Sequence, residues 1–158
     1  MRLTDILTPE RIRIPLRATT KEGLIEELIG VLAAEGMVDS PEDALQAVLR
    51  REATRSTGVG GGLALPHGKS PAAKKLAMAM GTIAGGVDFH AADAQPVTLA
   101  VLLLGPPEKP AEHIQALARI SRLFRHRGLR QRLQACQSPE EAHQIIKEAE
   151  DTVIVAHG

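Results

Sequence analysis

The residues best suited to chemistry lie in a glycine-rich segment that ends at one histidine, in the motif Pro66-His67-Gly68. Proline fixes the φ angle on one side of this histidine, and glycine allows close backbone approach on the other. A neutral imidazole is a good nucleophile near physiological pH. A histidine in this setting is more often structural than catalytic, yet the motif makes His67 our candidate for a side chain that carries a phosphoryl group.

The glycines that precede His67 invite comparison with phosphate-binding loops, because glycine amides can surround an oxyanion. A Walker A loop has four residues between its first glycine and Gly-Lys-Ser, whereas five residues separate Gly62 from Gly68 here. Leu63 occupies the place of the third glycine of the dinucleotide fingerprint. The sequence therefore predicts no nucleotide and no other cofactor. We interpret the segment as a flexible scaffold that leaves the imidazole open to a docking protein.

The composition argues against several classes of function. The 19 basic and 19 acidic residues balance, and there are two phenylalanines but no tryptophan or tyrosine, so neither net charge nor stacking rings favour nucleic acid. The lone Cys136 excludes an internal disulfide. No apolar run has the length of a membrane span, and the first residues lack a signal-peptide pattern. We expect a cytoplasmic protein without membrane insertion.

Two further groups of side chains have types that can bind metals or anionic partners. The other histidines lack the spacing of metal ligands, so no metal is predicted; they are His90, His126, His143 and His157. Six arginines lie close together in the sequence: Arg119, Arg122, Arg125, Arg127, Arg130 and Arg132. This cluster is interpreted either as a solvated helix face or as an electropositive rim for a phosphorylated or acidic partner.

Three apolar stretches predict strands. Residues 11–16 alternate with period two and contain a proline, which indicates an edge strand. Residues 76–83 and 97–104 are apolar runs with the length of buried strands, and Gly85-Gly86 is predicted to break the chain between them. Strands interspersed with helices predict an α/β fold, a sheet covered by helices, in a single domain over residues 1–158.

Four helices are predicted around these strands. The first starts at a capping box that opens with Thr19, and the second starts at Ser40 and brings Arg51 to the mouth of the glycine segment. A third follows Pro110, and the last begins after Ser138. The apolar face of the third helix is predicted from three-to-four spacing to contain Ile114, Leu117, Ser121 and Phe124.

Motifs along nearly the whole chain resemble one known family. They are Leu3-Thr4-Asp5-Ile6-Leu7, Arg51-Glu52, Ser56-Thr57-Gly58, Gly60, Gly62, Ala64, Pro66-His67-Gly68, Gly86-Val87-Asp88-Phe89, Pro96-Val97-Thr98-Leu99, and residues 102–121 with His113. On these residues the chain resembles the enzyme IIA components of the fructose/mannitol type. These components belong to the phosphoenolpyruvate:sugar phosphotransferase system and include the nitrogen-regulatory enzyme IIA.

The resemblance implies a fold and a set of site residues. It implies a mixed sheet of about five strands flanked by helices. It also implies that His67 is the phosphorylated histidine, His113 the second active-site histidine and Arg51 the arginine beside them. The residues we expect to bind phosphoryl oxygens, through a hydroxyl and backbone amides, are Thr57, Gly58 and Gly60.

The resemblance also implies a role as a phosphocarrier, a stoichiometric phosphohistidine component. The phosphoryl group would come from phospho-HPr or its nitrogen-branch relative. It would then pass to an enzyme IIB domain in sugar uptake, or stay as a mark that regulates other proteins. The chain has no fused IIB, IIC or HPr segment, which favours the regulatory role. A module that binds proteins without being phosphorylated is the rival hypothesis. His90 departs from the usual family pattern, which has a small or polar residue there, and Gly61 stands where the family often has a polar or acidic residue.

Overall fold

A mixed six-stranded sheet with helices on both faces forms the architecture of this computed structural model. The structure describes residues 2–157, with side chains as far as residue 152. In chain order the elements are α1 (Leu3–Ile6), β1 (Ile12–Arg13), α2 (Lys21–Ala34), α3 (Pro41–Thr54), β2 (Gly58–Gly60), β3 (Leu63–Ala64), β4 (His67–Lys69), β5 (Ala77–Val87), β6 (Val97–Gly105), α4 (Pro110–Phe124), α5 (Arg127–Gln134) and α6 (Pro139–His157). The predicted α/β class with a mixed sheet flanked by helices is confirmed, with six strands in place of about five.

The long antiparallel pair β5 and β6 forms the centre of the sheet. On one side, β1 runs parallel to β5 and places Ile12 opposite Met80, so an edge strand is present as predicted, but it spans only residues 12–13 of the predicted 11–16. On the other side, β3 and β4 both run parallel to β6, and β2 is antiparallel to β3 at the far edge. The pairing of β4 with β6 sets His67 opposite Leu103. The candidate nucleophile therefore lies on a strand held by the most buried strand of the sheet.

Apolar side chains cover both faces of the central strands, because successive residues of a strand point to opposite faces. In β5, Ala77 and Ala79 join the cluster that α2 and α3 complete, whereas Met78 and Met80 join the cluster on the opposite face. That second cluster contains side chains of α1, α4, α5 and α6, among them the fully buried Phe124. The continuous apolar runs recognised in the sequence are thus strands buried on both faces.

The starts of α2 and α3 test the predicted helix caps. In α3, the Ser40 hydroxyl accepts a hydrogen bond from the Asp43 amide at 3.3 Å, as its place before the proline predicted. In α2, the residue that accepts such a bond is Thr20, from the Gly23 amide at 3.1 Å. The capping box predicted at Thr19 is therefore wrong by one residue, because it is the extended backbone at Thr20 that turns into the helix.

Two predictions about the glycines were wrong. Strand β5 runs through Gly85 and Gly86, where we expected a break, because a register shift between Thr82 and Val87 absorbs the irregularity as a bulge. The segment interpreted as a flexible scaffold forms the short strands β2 and β3, which pair across a turn of glycines with positive φ angles. The chain that leads to His67 is therefore fixed by the sheet.

The buried face of α4 also differs from the predicted one. Phe124 is buried as expected, but Ile114 is 62% exposed. The side chains that α4 buries are His113, Ala116, Ile120, Leu123 and Phe124. The face is shifted by one residue because a histidine occupies a core position there. This shift carries His113 towards the sheet.

Candidate functional site

The imidazole of His67 is held in one orientation by the backbone beside it. Its Nδ1 lies 2.9 Å from the carbonyl oxygen of Leu65, two residues earlier in the chain. A carbonyl can only accept, so Nδ1 carries the proton and Nε2 of the neutral ring keeps its lone pair. The ring is half-buried on β4, between Pro66 and Gly68, which are both buried. The chain thus presents a neutral imidazole with Nε2 as its nucleophilic atom.

A second imidazole lies next to the first. The ring centroids of His67 and His113 are 5.9 Å apart, and their planes are inclined by 52°. His113 is only 3% exposed, and among the described residues neither of its ring nitrogens has a hydrogen-bond partner. Buried polar groups are nearly always paired, so an unpaired buried imidazole calls for an explanation. A group bound at His67 would lie close enough to His113 to supply the missing partner.

Burial keeps both rings neutral near pH 7. It lowers the pKa of His113 to about 4, with smaller contributions from His67 and Lys69. Burial also lowers the pKa of His67, whereas the hydrogen bond from its ring to the Leu65 carbonyl raises that pKa. Among the charged neighbours of His67, Arg51 and Lys69 lower its pKa and Glu52 raises it. The site therefore combines neutral rings with fixed positive charge.

Arg51 supplies part of that charge from the last turn of α3. Its Nη1 donates to the carbonyl of Arg55 at 2.9 Å and to the hydroxyl of Thr54 at 3.3 Å. These bonds fold the side chain back over the end of its own helix and leave other donors of the guanidinium fork for a ligand. The structure thus brings together the three predicted site residues, Arg51, His67 and His113.

An open cavity of about 560 Å³ connects these residues with solvent. Its lining includes Arg51 and His67, and the helix α4 contributes Leu117 and Ser121. Two lining residues with basic side chains, Arg55 and His90, were not among the predicted site residues. His90 has a left-handed backbone (φ 54°), and its amide donates to the Asp88 carboxylate at 2.9 Å. Only its departure from the family pattern singled His90 out in the sequence.

Of the three predicted phosphoryl-binding residues, two line the cavity and one does not. Thr57 and Gly58 line the cavity, but the Thr57 hydroxyl and amide both donate to Glu52, and the Gly58 amide donates to the Ser56 hydroxyl at 3.0 Å. Gly60 lies outside the cavity lining, and a Cβ on it would be 3.2 Å from the Asp93 carboxylate. A phosphoryl role for these three residues stays a prediction, and for Thr57 and Gly58 it requires those bonds to open.

A second depression adjoins the first. It has a volume of about 550 Å³ and shares Ser121 with the cavity above His67. Its lining includes Arg122, Arg125 and His126, at and just after the end of α4. Part of the arginine cluster thus forms an electropositive groove, while Arg132 pairs with Glu148 on α6. Of the other histidines, His143 lies on α6 and lines neither depression. The side chain of His157 lies outside the described residues.

The fold and this histidine-bearing cavity define a small α/β protein whose sheet presents one imidazole beside a second. The chain belongs to the family described as "Phosphoenolpyruvate-dependent sugar phosphotransferase system, EIIA 2", whose model matches residues 5–149. The resemblance seen in the sequence is therefore confirmed. Because the match stops at residue 149, a single domain over all of residues 1–158 stays a prediction. Through the family, the chain is a component of a phosphoryl-transfer system.

Similar proteins include both branches of the family. The "PTS system fructose-specific EIIA component" of Haloferax volcanii is 36% identical over 151 residues, 94% of this chain and 98% of that protein. The crystal structure of nitrogen regulatory protein IIA-Ntr from Neisseria meningitidis is 30% identical, with a TM-score of 0.83, covering 91% of this chain and 98% of that chain.

A third similar structure is a complex. It contains the mannitol enzyme IIA and phosphorylated enzyme IIB of Escherichia coli. Our chain matches the enzyme IIA with a TM-score of 0.75 at 25% identity, and the match covers 88% of this chain and 95% of that chain.

In the part of our chain that the structure describes, no helix combines the length and apolar character needed to cross a bilayer.

Proposed function

We propose that this protein is a phosphocarrier that accepts a phosphoryl group on Nε2 of His67 from phospho-HPr or its nitrogen-branch relative. The observation that carries the proposal is the state of the two rings. The Leu65 carbonyl fixes Nδ1 of His67 as the protonated atom, and the buried His113, with no hydrogen-bond partner among the described residues, lies 5.9 Å away between centroids. Membership of the phosphotransferase family supports the same conclusion.

The step is an in-line transfer between two imidazoles. The lone pair of His67 Nε2 forms the new nitrogen–phosphorus bond, and the bond from phosphorus to the donor's imidazole breaks. The electron pair of that bond returns to the donor ring. Because the transition state is loose, the protein mainly positions groups and stabilises charge. The proton on His67 Nδ1 stays hydrogen-bonded to Leu65 throughout, so the phosphorylated ring keeps its orientation.

Arg51 and His113 are the residues we assign to the phosphoryl oxygens. The guanidinium of Arg51 is permanently charged and offers a planar set of donors that matches those oxygens. A neutral His113 has one N–H to donate, and no described group accepts it before phosphorylation. In this assignment Thr57 and Gly58 form part of the wall, and Gly60 shapes the turn beside it.

The acceptor of the phosphoryl group defines two branches of the proposal. The regulatory branch remains our expectation, and the similarity to the Neisseria meningitidis IIA-Ntr supports it. The similarity to a fructose-specific EIIA and to the mannitol IIA in complex with IIB supports the sugar branch. Capture of partners on the phosphorylated and unphosphorylated protein separates the branches: an enzyme IIB that removes the phosphoryl group establishes sugar transfer. A target protein that binds only the phosphorylated form or only the unphosphorylated form establishes a regulatory role.

The central experiment is phosphorylation with phosphoenolpyruvate, enzyme I and HPr, followed by intact-protein mass measurement. The wild type is expected to gain one phosphoryl group that is labile in acid and stable in base, and His67→Ala is expected to gain none. His143→Ala on α6 is the matched control and should react like the wild type. Phosphorylation of His67→Ala would show that another residue is the acceptor. A wild type that gains no group would support the rival, a module that only binds proteins.

A further inference from the structure

A buried carboxylate lies directly behind the phosphoryl site. Glu52, the neighbour of Arg51 on α3, is 7% exposed. Its oxygens accept hydrogen bonds from the Thr57 amide at 3.1 and 3.2 Å and from the Thr57 hydroxyl. It also forms an ion pair with Lys21, whose Nζ is 2.7 Å from Oε2. Because these partners lie on different segments of the chain, the Glu52 carboxylate holds those segments together.

Lys21, in the first turn of α2, contacts a second segment of the chain, the one around Phe89. Its Nζ donates to the Phe89 carbonyl at 3.2 Å and lies 4.7 Å from the centroid of the Phe89 ring. The Ser56 hydroxyl donates to the same carbonyl at 2.8 Å. Two donors on one carbonyl fix the backbone immediately before His90. The Lys21–Glu52 pair therefore connects the segment around Thr57 with the segment around Phe89.

These two segments are adjacent parts of the cavity lining, since a Cβ on Gly58 would lie 2.8 Å from the Cβ of Ala91. Residues 55–59 form one part, and His90 and Ala92 form another. Neither Lys21 nor Glu52 is among the lining residues, so the pair acts from behind the surface. A buried ion pair is weak support for stability, since desolvation offsets much of its attraction. Its placement at the junction of the two cavity segments suggests a different use.

We propose that Lys21 and Glu52 are positioning residues for phosphoryl transfer: their ion pair fixes two segments that line the cavity together with His67, and with them Arg51. The inference rests on the proposed function. Glu52 reaches the site through Thr57, and as the residue after Arg51 it also anchors the end of α3. Its charge also acts on the His67 ring, since it raises the pKa of that histidine.

The test compares initial rates of His67 phosphorylation by phospho-HPr over a range of donor concentrations. Lys21→Met and Glu52→Gln should each lower the rate at saturating donor about tenfold, because displacement of site groups by about 1 Å costs up to about 100-fold. The half-saturating donor concentration should stay within about twofold, since neither residue lines the cavity that holds His67. Lys21→Arg keeps the cation and should restore most of the rate.

A matched control uses another ion pair. Arg11 Nε lies 3.6 Å from Glu35 Oε1. Both side chains are also partly buried, and neither lines the cavity. Glu35→Gln should transfer at the wild-type rate. Thermal unfolding of every variant confirms that the folded protein is compared, and the Lys21→Met/Glu52→Gln double variant removes both charges together, in case one lone buried charge prevents folding. The double variant should be no slower than the slower single variant, because the two residues act as one unit.

The outcomes separate the two proposals. A wild type that accepts no phosphoryl group overturns the proposed function and this inference with it. A reactive wild type with a folded double variant of equal saturating rate overturns only the positioning role. Equal losses in Glu35→Gln and in the Lys21 and Glu52 variants would also overturn it, because they would reflect general destabilisation. A slow Lys21→Met rescued by Lys21→Arg, with Glu35→Gln unaffected, supports it.

Discussion

His113 shows how placement changes the chemistry of one side chain. Exposed, an imidazole titrates between pH 6 and 7; in the interior of this protein its pKa falls to about 4. The unfolded chain therefore binds a proton at this residue over the range from about pH 6.5 down to about pH 4, and the folded protein does not. Stability supplied by the neutral ring is complete above pH 6.5 and decreases as the pH falls towards 4.

This difference predicts a pH dependence of stability that belongs to His113. Between pH 7 and pH 4.5 the histidine should remove about 2 kcal/mol from the free energy of unfolding, the value expected for a pKa near 6.5 in the unfolded chain and about 4 in the folded one. Urea unfolding of the wild type and His113→Gln at both pH values measures it. The variant, which does not titrate at this position, should lose about 2 kcal/mol less on acidification. Equal losses in both proteins would refute the assignment.

Sequence alone identified some site residues and missed others for a physical reason. His67 stands in a local motif, and the resemblance supplied Arg51 and His113, which the structure brings together with it. The roles of Glu52 and Lys21 depend on a contact between α2 and α3 that no local pattern encodes. His90 lines the cavity from a loop in which its backbone is left-handed, and no periodic pattern in the sequence predicts such a position.

At the scale of elements, the packing of α3 on β4 decides how Arg51 approaches His67. The two elements approach each other closely at Gly68, where a Cβ would lie 3.1 Å from the amide nitrogen of Val48 and 3.2 Å from the carbonyl carbon of Ala47. These are backbone atoms of a helix, which cannot turn aside as a side chain can. The glycine after His67 thus allows the helix and the strand to approach closely.

Gly68→Ala should therefore separate α3 from β4 by a few tenths of an ångström. We expect a loss of ~1–3 kcal/mol in the free energy of unfolding, the usual cost of overpacking. Phosphoryl transfer to His67 should also slow by about tenfold, because Arg51 moves with the helix. Gly85→Ala is the control, since nothing lies within 4 Å of its Cβ position. A Gly68→Ala protein as stable and as active as the control would contradict the packing argument.

The elements were predicted best where their patterns are long. Strands β5 and β6 and the helices α2, α3, α4 and α6 follow from runs of apolar residues and from caps such as Ser40. The strands β2, β3 and β4 have two or three residues each, so local propensity carries little signal for them; β3 and β4 pair with β6, and β2 pairs with β3. The buried face of α4 was misplaced because it contains a histidine.

At the scale of the whole molecule, zero net charge hides an uneven distribution near the site. Arg51 and Arg55 line the cavity above His67, and the adjoining groove adds Arg122 and Arg125. A phosphorylated donor brings negative charge to this region, and clustered cations accelerate such an approach over distances comparable with the Debye length. This placement favours, of the two interpretations that the sequence left open, the electropositive rim for a phosphorylated or acidic partner.

Reversal of one groove charge should slow the encounter with the phosphorylated donor. Arg125→Glu changes the net charge by the same amount as Lys147→Glu, an exposed residue of α6 that lines neither depression. At low ionic strength, Arg125→Glu should lower the second-order rate constant for phosphorylation by phospho-HPr by about tenfold, and Lys147→Glu should change it much less. The difference should disappear near 1 M salt, where the Debye length is about 3 Å. Equal rates for the two variants at low salt would show that the groove plays no part in the approach of the donor.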